Sequence, residues 1–392
     1  MESLGLEYFE ELFSRSFFQY APNDSSLFVM HDLLNDLAIS VAGEFFLRLD
    51  DVMKDTRKKD PERYRHMSFV RKEYEANSKF KPIESATSLR TFLAVSVELE
   101  DSWGEFYLSS KILVDLLQKL PLLRVLCLSG YFISEVPETI GSLKHLRYLN
   151  LSRTLITCLP ENVGNLYNLQ SLILYRCNSL SMLPINFSKL KNLRHLDIRG
   201  TPLLSKMPLG IGKLKSLQTL SKIIIRGDNG LAIAELKDLT NLHGKTHIKG
   251  LEKVEIASHA SEANLSQKRL SGLELEWSGV FNDSRKKSLE KEVLDALKPH
   301  SESLIKLGIV SYGLPSLKEL YIEDINEVKA MGSELIGTGR AFTSLEVLEL
   351  RNMKRLEVWS TPMRSCHFHA LKSLLLEVVL IWFKCHLEHC PY

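Results

Sequence analysis

The stretch LRVLCLSGYFISEVPETIGSLKHLRYLNLSRT, residues 123–154, contains one full repeat and the start of the next. Four segments share its pattern L-x-x-L-x-L: LRVLCL, LRYLNL, LQSLIL and LRHLDI, beginning at Leu123, Leu146, Leu169 and Leu193. Their starts lie 23, 23 and 24 residues apart, and the spacing puts three apolar side chains on one side of a short strand. Because one repeat cannot bury its leucines alone, the pattern predicts stacked coils around one continuous core.

A second apolar position follows each strand, and proline comes a few residues later, at Pro137, Pro160, Pro184 and Pro208. Proline fixes the backbone angle φ and has no amide hydrogen to donate. Proline at this position of each repeat is therefore typical of a solenoid whose convex side contains no α-helix. We therefore expect an α/β fold: a leucine-rich-repeat solenoid whose parallel strands line the concave face. Further segments of the same pattern begin at Leu270, Leu304, Leu317, Leu345 and Leu371.

These segments predict a leucine-rich-repeat domain over residues 89–392, regular over 121–220 and irregular over 221–392. The 13 residues from Leu304 to Leu317 are too few for a strand, a return segment and two turns. Either one of these two strands lies outside the stack or a repeat is missing there. The polar stretch 51–88 is interpreted as a connector, with one strand at His66–Val70.

Residues 1–50 alternate helical and extended patterns and predict a partial winged-helix domain. Residues 7–19 place Phe9 and Phe13 on one helical face, and a turn leads to a short extended run. Asp32 then opens a second helix that ends near Gly43. The residues expected on the buried face of this helix are Leu33, Leu34, Leu37, Ala38 and Val41.

The run FVMHDLLNDLAISVAGEFFLRLDD, residues 28–51, preceded by YFEELFSRSFFQ at 8–19, resembles a known family. It is similar to the end of the nucleotide-binding module of plant nucleotide-binding leucine-rich-repeat disease-resistance proteins, in their coiled-coil branch. Met30-His31-Asp32 matches that family's MHD motif, and 89–94, 123–154 and 166–184 match its repeats. The resemblance implies a cytoplasmic immune receptor in plant defence. Its repeats would recognise a pathogen effector or a guarded host protein and restrain an ADP/ATP switch.

The resemblance also implies that His31 contacts an ADP phosphate and that Asp32 supports the turn. From the residues alone, His31 could equally cap or pack the start of the helix. The phosphate-binding pattern G-x-x-x-x-G-K-[ST] does not occur in the sequence. We therefore expect negligible ADP affinity for this chain alone, which looks like a C-terminal fragment of a receptor that binds ADP or ATP.

The exposed strand positions offer a second candidate site, for protein recognition. Arginine and tyrosine on a rigid surface supply much of the energy of protein interfaces. The residues expected to bind protein are Arg124, Arg147, Tyr148, Tyr175, Arg194, His195 and Arg199. The alternative function is a stand-alone repeat scaffold or adaptor that binds proteins without nucleotide.

Charge is distributed unevenly along the chain. Residues 1–50 carry two basic and nine acidic side chains, whereas residues 121–226 carry fourteen basic and four acidic ones. The asymmetry predicts an intramolecular contact of 1–50 with 121–226. Nucleic acid is not an expected partner, because the arginines are spread around the solenoid and the winged-helix part is acidic.

Several other functions are not expected. The longest apolar run, residues 374–383, has ten residues and contains Glu377, so no membrane span is predicted. Catalytic motifs such as G-x-S-x-G and H-E-x-x-H do not occur, so we expect no enzyme. The cysteines and histidines at 366–390 imitate a zinc pattern, but a repeat strand runs between them and we expect no metal site.

Overall fold

The computed structural model describes residues 2–21, 24–49, 60–95, 106–227, 230–277 and 287–297, together with six short strands between residues 306 and 377.

The N-terminal segment is a helix, a hairpin and a second helix. Helix α1 (Glu2–Ser14) is followed by the antiparallel strands β1 (Phe18–Ala21) and β2 (Asp24–Met30), and then by helix α2 (Asp32–Ala42). The ring centroids of Phe9 in α1 and Phe28 in β2 lie 5.0 Å apart, so an edge-to-face aromatic contact joins the helix to the hairpin.

The expected burial of one face of α2 is wrong. Leu33 is 73% exposed and Val41 is 78% exposed, and no described residue of this helix is buried. The apolar stripe is present at helical spacing, but Leu33, Leu37 and Val41 are exposed.

An eight-stranded sheet carries the first part of the array. Its strands are β3 (Phe46–Arg48), β4 (His66–Val70), β5 (Thr91–Val95), β6 (Val125–Cys127), β7 (Tyr148–Asn150), β8 (Ser171–Ile173), β9 (His195–Asp197) and β10 (Thr219–Leu220). Helix α3 (Asn77–Phe80) lies between β4 and β5, and helix α4 (Ser110–Lys119) between β5 and β6. All seven pairings are parallel and follow chain order. The predicted α/β leucine-rich-repeat solenoid is thereby confirmed.

The sheet begins earlier than the sequence pattern indicated. Strand β4 is the strand expected at His66–Val70, but it pairs with β5 and so belongs to the array. Strand β3 pairs with β4 in turn, inside the segment interpreted as winged helix. Both strands alternate like the later ones: Leu47, Met67 and Phe69 are buried in the common core.

The convex side is built from short 3-10 helices that begin directly after the prolines, such as Glu138–Ser142 and Glu161–Asn165. Neighbouring coils approach closely here. A Cβ atom added at Gly141 would lie 2.6 Å from the backbone oxygen of Asn162, and one at Gly164 would lie 2.8 Å from that of Asn186. Glycine at these positions therefore allows the tight stacking of the coils.

A second sheet follows, with strands β11 (Lys222–Ile224), β12 (His243–Lys249), β13 (Arg269–Trp277) and β14 (Lys306–Ser311) in parallel. Helices α5 (Ala257–Glu262) and α6 (Lys287–Leu297) lie between its later strands in sequence. The remaining strands are β15 (Glu319–Glu323), β16 (Ala330–Met331), β17 (Val347–Arg351), β18 (Val358–Trp359) and β19 (Ser373–Glu377).

The short spacing from Leu304 to Leu317 separates strands of two different sheets. Strand β14 pairs with β13, whereas β15 pairs with β17 in another sheet, of order β15-β17-β19. The two strands therefore belong to different sheets, and the choice between a strand outside the stack and a missing repeat stays a prediction.

Candidate functional site

The residues predicted to bind protein lie on consecutive coils of the first sheet. Arg124, Arg147 and Arg194 directly precede β6, β7 and β9, and their backbones extend the strand ladder: the amide of Arg147 donates to the carbonyl of Arg124 at 2.8 Å. Tyr148 and His195 begin β7 and β9. Tyr175 and Arg199 follow β8 and β9 by two residues. All seven side chains are exposed or half-buried.

Tyr175 is the centre of a cluster of guanidinium groups. The guanidinium carbons of Arg176 and Arg199 lie 5.3 and 5.2 Å from its ring centroid, and that of Arg153 lies at 6.0 Å. These distances are within the range of cation–π attraction. Three positively charged guanidinium groups therefore lie around the aromatic ring of Tyr175.

Arg199 is held in place by Asp197. Its Nη2 donates to Oδ2 of Asp197 at 2.6 Å, and its Nε donates to the same carboxylate at 3.0 Å. Burial acts to raise the pKa of Asp197, but hydrogen bonds from Arg199 and Ser221 outweigh it and lower the pKa. The carboxylate stays ionised and fixes the position of Arg199 beside Tyr175.

Sequence reasoning missed Arg153 and Arg176. Both adopt left-handed backbone, with φ of 58° and 56°, at the turn where the neighbouring coils have Gly130 and Gly200 with φ of 76° and 67°. A residue with positive φ is uncommon unless it is glycine. The signal was one column of the repeat that holds glycine at positions 130 and 200 and arginine at positions 153 and 176.

The row of arginines is also longer than predicted. Arg65 and Arg90 directly precede β4 and β5, and the amide of Arg124 donates to the carbonyl of Arg90 at 2.7 Å. Burial lowers the pKa of His66, and the nearby charges of Arg90, Arg124 and Arg65 lower it further. The arginines of adjacent coils thus lie close enough together to act on the pKa of the same histidine.

His31 is the N-cap of helix α2. Its Nδ1 accepts a hydrogen bond from the amide of Leu33 at 3.3 Å, and the side chain is exposed. Asp32 is the acidic residue of the first helical turn, where it complements the helix dipole. One capping histidine without a phosphate-binding loop does not make a nucleotide pocket. The ADP contact of His31 and Asp32 stays a prediction.

The C-terminal cysteines and histidines at 366–390 lie outside the described residues. Within the residues that are described, no group of three or more metal-ligating side chains occurs. Cys127 and Cys177 are buried and Cys158 is exposed. Among the same residues, no helix has the length and apolar composition needed to cross a membrane.

Comparison with known proteins gives two family matches. Residues 105–387 match the model described as a leucine-rich repeat region, and residues 1–38 match the winged-helix domain of disease resistance proteins. A disease resistance protein of Arabidopsis thaliana is 36% identical over 96% of this chain and 29% of its own length. Another, of Solanum bulbocastanum, is 41% identical over 80% of this chain and 28% of its own length.

The chain thus spans less than a third of the length of these two relatives. Among solved structures, an internalin of Listeria monocytogenes is similar with 18% identity and a TM-score of 0.46, over 83% of this chain and 92% of that one.

Proposed function

Because this chain belongs to the leucine-rich-repeat family of plant disease-resistance proteins, we propose that it forms the recognition part of an intracellular immune receptor. The repeats bind a pathogen effector or a guarded host protein and restrain an ADP/ATP switch formed by other parts of the receptor. The receptor acts in the cytoplasm. This segment acts by changing contacts and not by breaking bonds.

The observation that carries the proposal is the cluster of Arg153, Arg176 and Arg199 around Tyr175. A tyrosine has few rotatable bonds, and here its ring is surrounded by guanidinium groups, one of which is anchored to Asp197. A preorganised aromatic and cationic surface loses little conformational entropy on binding. Such residues are the usual anchors of protein interfaces.

The match of residues 1–38 to a disease-resistance winged helix favours the receptor over a free-standing scaffold. In a scaffold, these residues would have no related role. In a receptor, they connect the repeats to the switch.

The test is co-expression in leaf cells with the nucleotide-binding half of the Arabidopsis relative. We expect the chain to associate with that half and to reduce its signalling. The double variant Tyr148→Ala/Tyr175→Ala should lose effector or host-protein binding, because it removes both aromatic anchors from the strand face. Tyr167→Ala is the matched control, since Tyr167 is 52% exposed on a turn away from the strands. If the chain neither associates with that half nor reduces its signalling, the receptor function is refuted.

We also propose that the acidic N-terminal segment contacts the basic residues 121–226 in the resting receptor. Within the described residues, Glu11 pairs with Arg15 and Glu44 pairs with Arg63, and both of these arginines lie outside 121–226. Charges at a surface are screened beyond about 8 Å at physiological ionic strength. Cross-links between the two segments of the full chain should decrease as salt rises from low to high concentration. Cross-links that do not respond to salt would contradict an electrostatic contact.

A further inference from the structure

The two large sheets separate at Ser221. Strand β10 ends at Leu220 and pairs with β9, whereas β11 begins at Lys222 and pairs with β12. Hydrogen bonds still cross this break, from the amide of Ser221 to the carbonyl of Leu196 at 3.1 Å and from the amide of His247 to the carbonyl of Ser221 at 3.1 Å, and side chains add others. The hydroxyl of Ser221 accepts from the amide of Ile198 at 2.8 Å, and the ammonium of Lys222 donates to the carbonyl of Thr201 at 3.1 Å. The separation opens a cavity of about 270 Å³, bordered by Arg199, Lys222, Lys245, Thr246, His247 and Glu274.

Most of the charges around this cavity have partners within the chain. Arg199 is paired with Asp197. The carboxylate of Glu276 contacts both His247 Nε2 at 2.8 Å and Lys249 Nζ at 2.7 Å. Arg199, His247 and Lys249 therefore each have a nearby carboxylate.

Lys222 and Lys245 differ from the others. The described hydrogen bond of Lys222 goes to a neutral carbonyl. Burial and the charge of Lys249 lower the pKa of its ammonium group, against the opposing effect of Glu276. The side chain of Lys245 makes no hydrogen bond or ion pair within the described residues. Gly272 borders the same cavity, and a Cβ there would lie 2.9 Å from Cγ of Lys245. Glycine at position 272 therefore leaves room for the Lys245 side chain at the mouth of the cavity.

We propose that this cavity binds a carboxylate group of the partner protein between Lys222 and Lys245. The ammonium group of Lys222 is half-buried and its described hydrogen bond goes to a neutral carbonyl, so a desolvated anion would bind it favourably. Glu274 lies on the same lining and would repel a dianionic phosphate more strongly than a single carboxylate. The carboxylate is either an aspartate or glutamate side chain or a chain terminus. The inference rests on the proposed function and specifies the chemistry of its ligand.

The experiment uses the full chain and three short peptides. The first carries one central glutamate with both ends blocked, the second has glutamine in its place, and the third is the glutamine peptide with a free C-terminal carboxylate. Binding is measured by saturation-transfer NMR titration. We expect the glutamate peptide, the free-terminus peptide or both to bind about tenfold more tightly than the blocked glutamine peptide. The tighter of the two identifies the source of the carboxylate.

Variants locate the site. Lys245→Met should abolish the preference for the carboxylate, and Lys245→Arg should keep it, because Lys245 is exposed and its replacement leaves the core intact. Lys189→Met is the matched control, since Lys189 is an exposed lysine of the 3-10 helix Ile185–Lys189 and does not border the cavity. Lys222→Met should also abolish the preference, with circular dichroism showing that the variant is folded.

Equal binding of all three peptides by the wild-type chain would overturn the inference. Tighter binding of a phosphoserine peptide than of the glutamate peptide would also overturn it, because it would make the cavity a phosphate site. A chain that reduces receptor signalling but shows no carboxylate preference would refute only this inference. A chain with the preference that neither associates with the nucleotide-binding half nor reduces its signalling would refute only the receptor function.

Discussion

Replacing Leu172 by alanine is expected to lower the free energy of unfolding by about 2–5 kcal/mol. Leu172 is the middle residue of β8 and is fully buried, at 0% exposure. Its register partners are Leu149 in β7 and Leu196 in β9, so one side chain packs against the coils on both sides. Removing it leaves a cavity in the continuous core and weakens two interfaces between coils at once.

The measurement is urea unfolding of the full chain followed by circular dichroism. Ile173→Ala is the matched control, because Ile173 is the next residue of the same strand but is half-buried on the opposite face. We expect the control to cost about 1 kcal/mol or less. Equal losses for the two variants would show that the stacked leucines are not the main source of stability.

The regular coils were predictable because their spacing is a direct consequence of the structure. A leucine in the core of one coil must lie beside a leucine of the next, so the period of 23 or 24 residues appears in the sequence. Strands β3 and β4 were not recognised as part of the array, because they bury Leu47, Met67 and Phe69 without the leucine pattern. Alternation alone over three to five residues is a weak signal.

The candidate site was only partly predictable. Tyr148, Tyr175 and Arg199 could be placed from their columns, because side chains at equivalent positions of adjacent coils share one face. Arg153 and Arg176 reach Tyr175 from a left-handed turn, which no hydrophobic period reveals. The cavity at Ser221 depends on where one sheet ends and the next begins, and this is decided by hydrogen bonds between distant segments.

Lys268 shows the same limit of sequence reasoning in the core. Lysine is normally exposed, yet Lys268 is 1% exposed, and its Nζ has no hydrogen-bond partner in the part of the chain that the structure describes. Burial lowers its pKa from 10.5 to about 8, against the opposing charge of Asp238. Nothing in the local sequence distinguishes this lysine from its exposed neighbours.

Glu276→Gln is expected to destabilise the chain by about 3 kcal/mol at neutral pH. The parallel register sets Glu276 of β13 opposite Lys249 of β12, and the residue is buried, at 6% exposure. Burial acts to raise the pKa of Glu276, but the hydrogen bonds from His247 and Lys249 outweigh it and lower the pKa from 4.5 to about 2. Glutamine keeps the size of the side chain and removes the negative charge that His247 and Lys249 contact.

The pH dependence has a definite sign. A carboxyl group whose pKa is lower in the folded state contributes its full stabilisation of the fold at pH values above its pKa in the unfolded chain. This contribution is lost as the pH falls through the pKa of the folded state. The wild-type chain should therefore lose the contribution of Glu276 between about pH 4.5 and pH 2. The glutamine variant has no such contribution to lose, so the two stability curves should converge at the acid end of this range.

Urea unfolding at a series of pH values measures both curves. Glu274→Gln is the matched control, because Glu274 lies two residues earlier on β13 and makes no ion pair within the described residues. It should follow the wild-type curve at every pH. A constant offset between Glu276→Gln and wild type down to pH 2 would mean that the variant perturbs packing, and that the ion pairs of Glu276 do not hold β12 against β13.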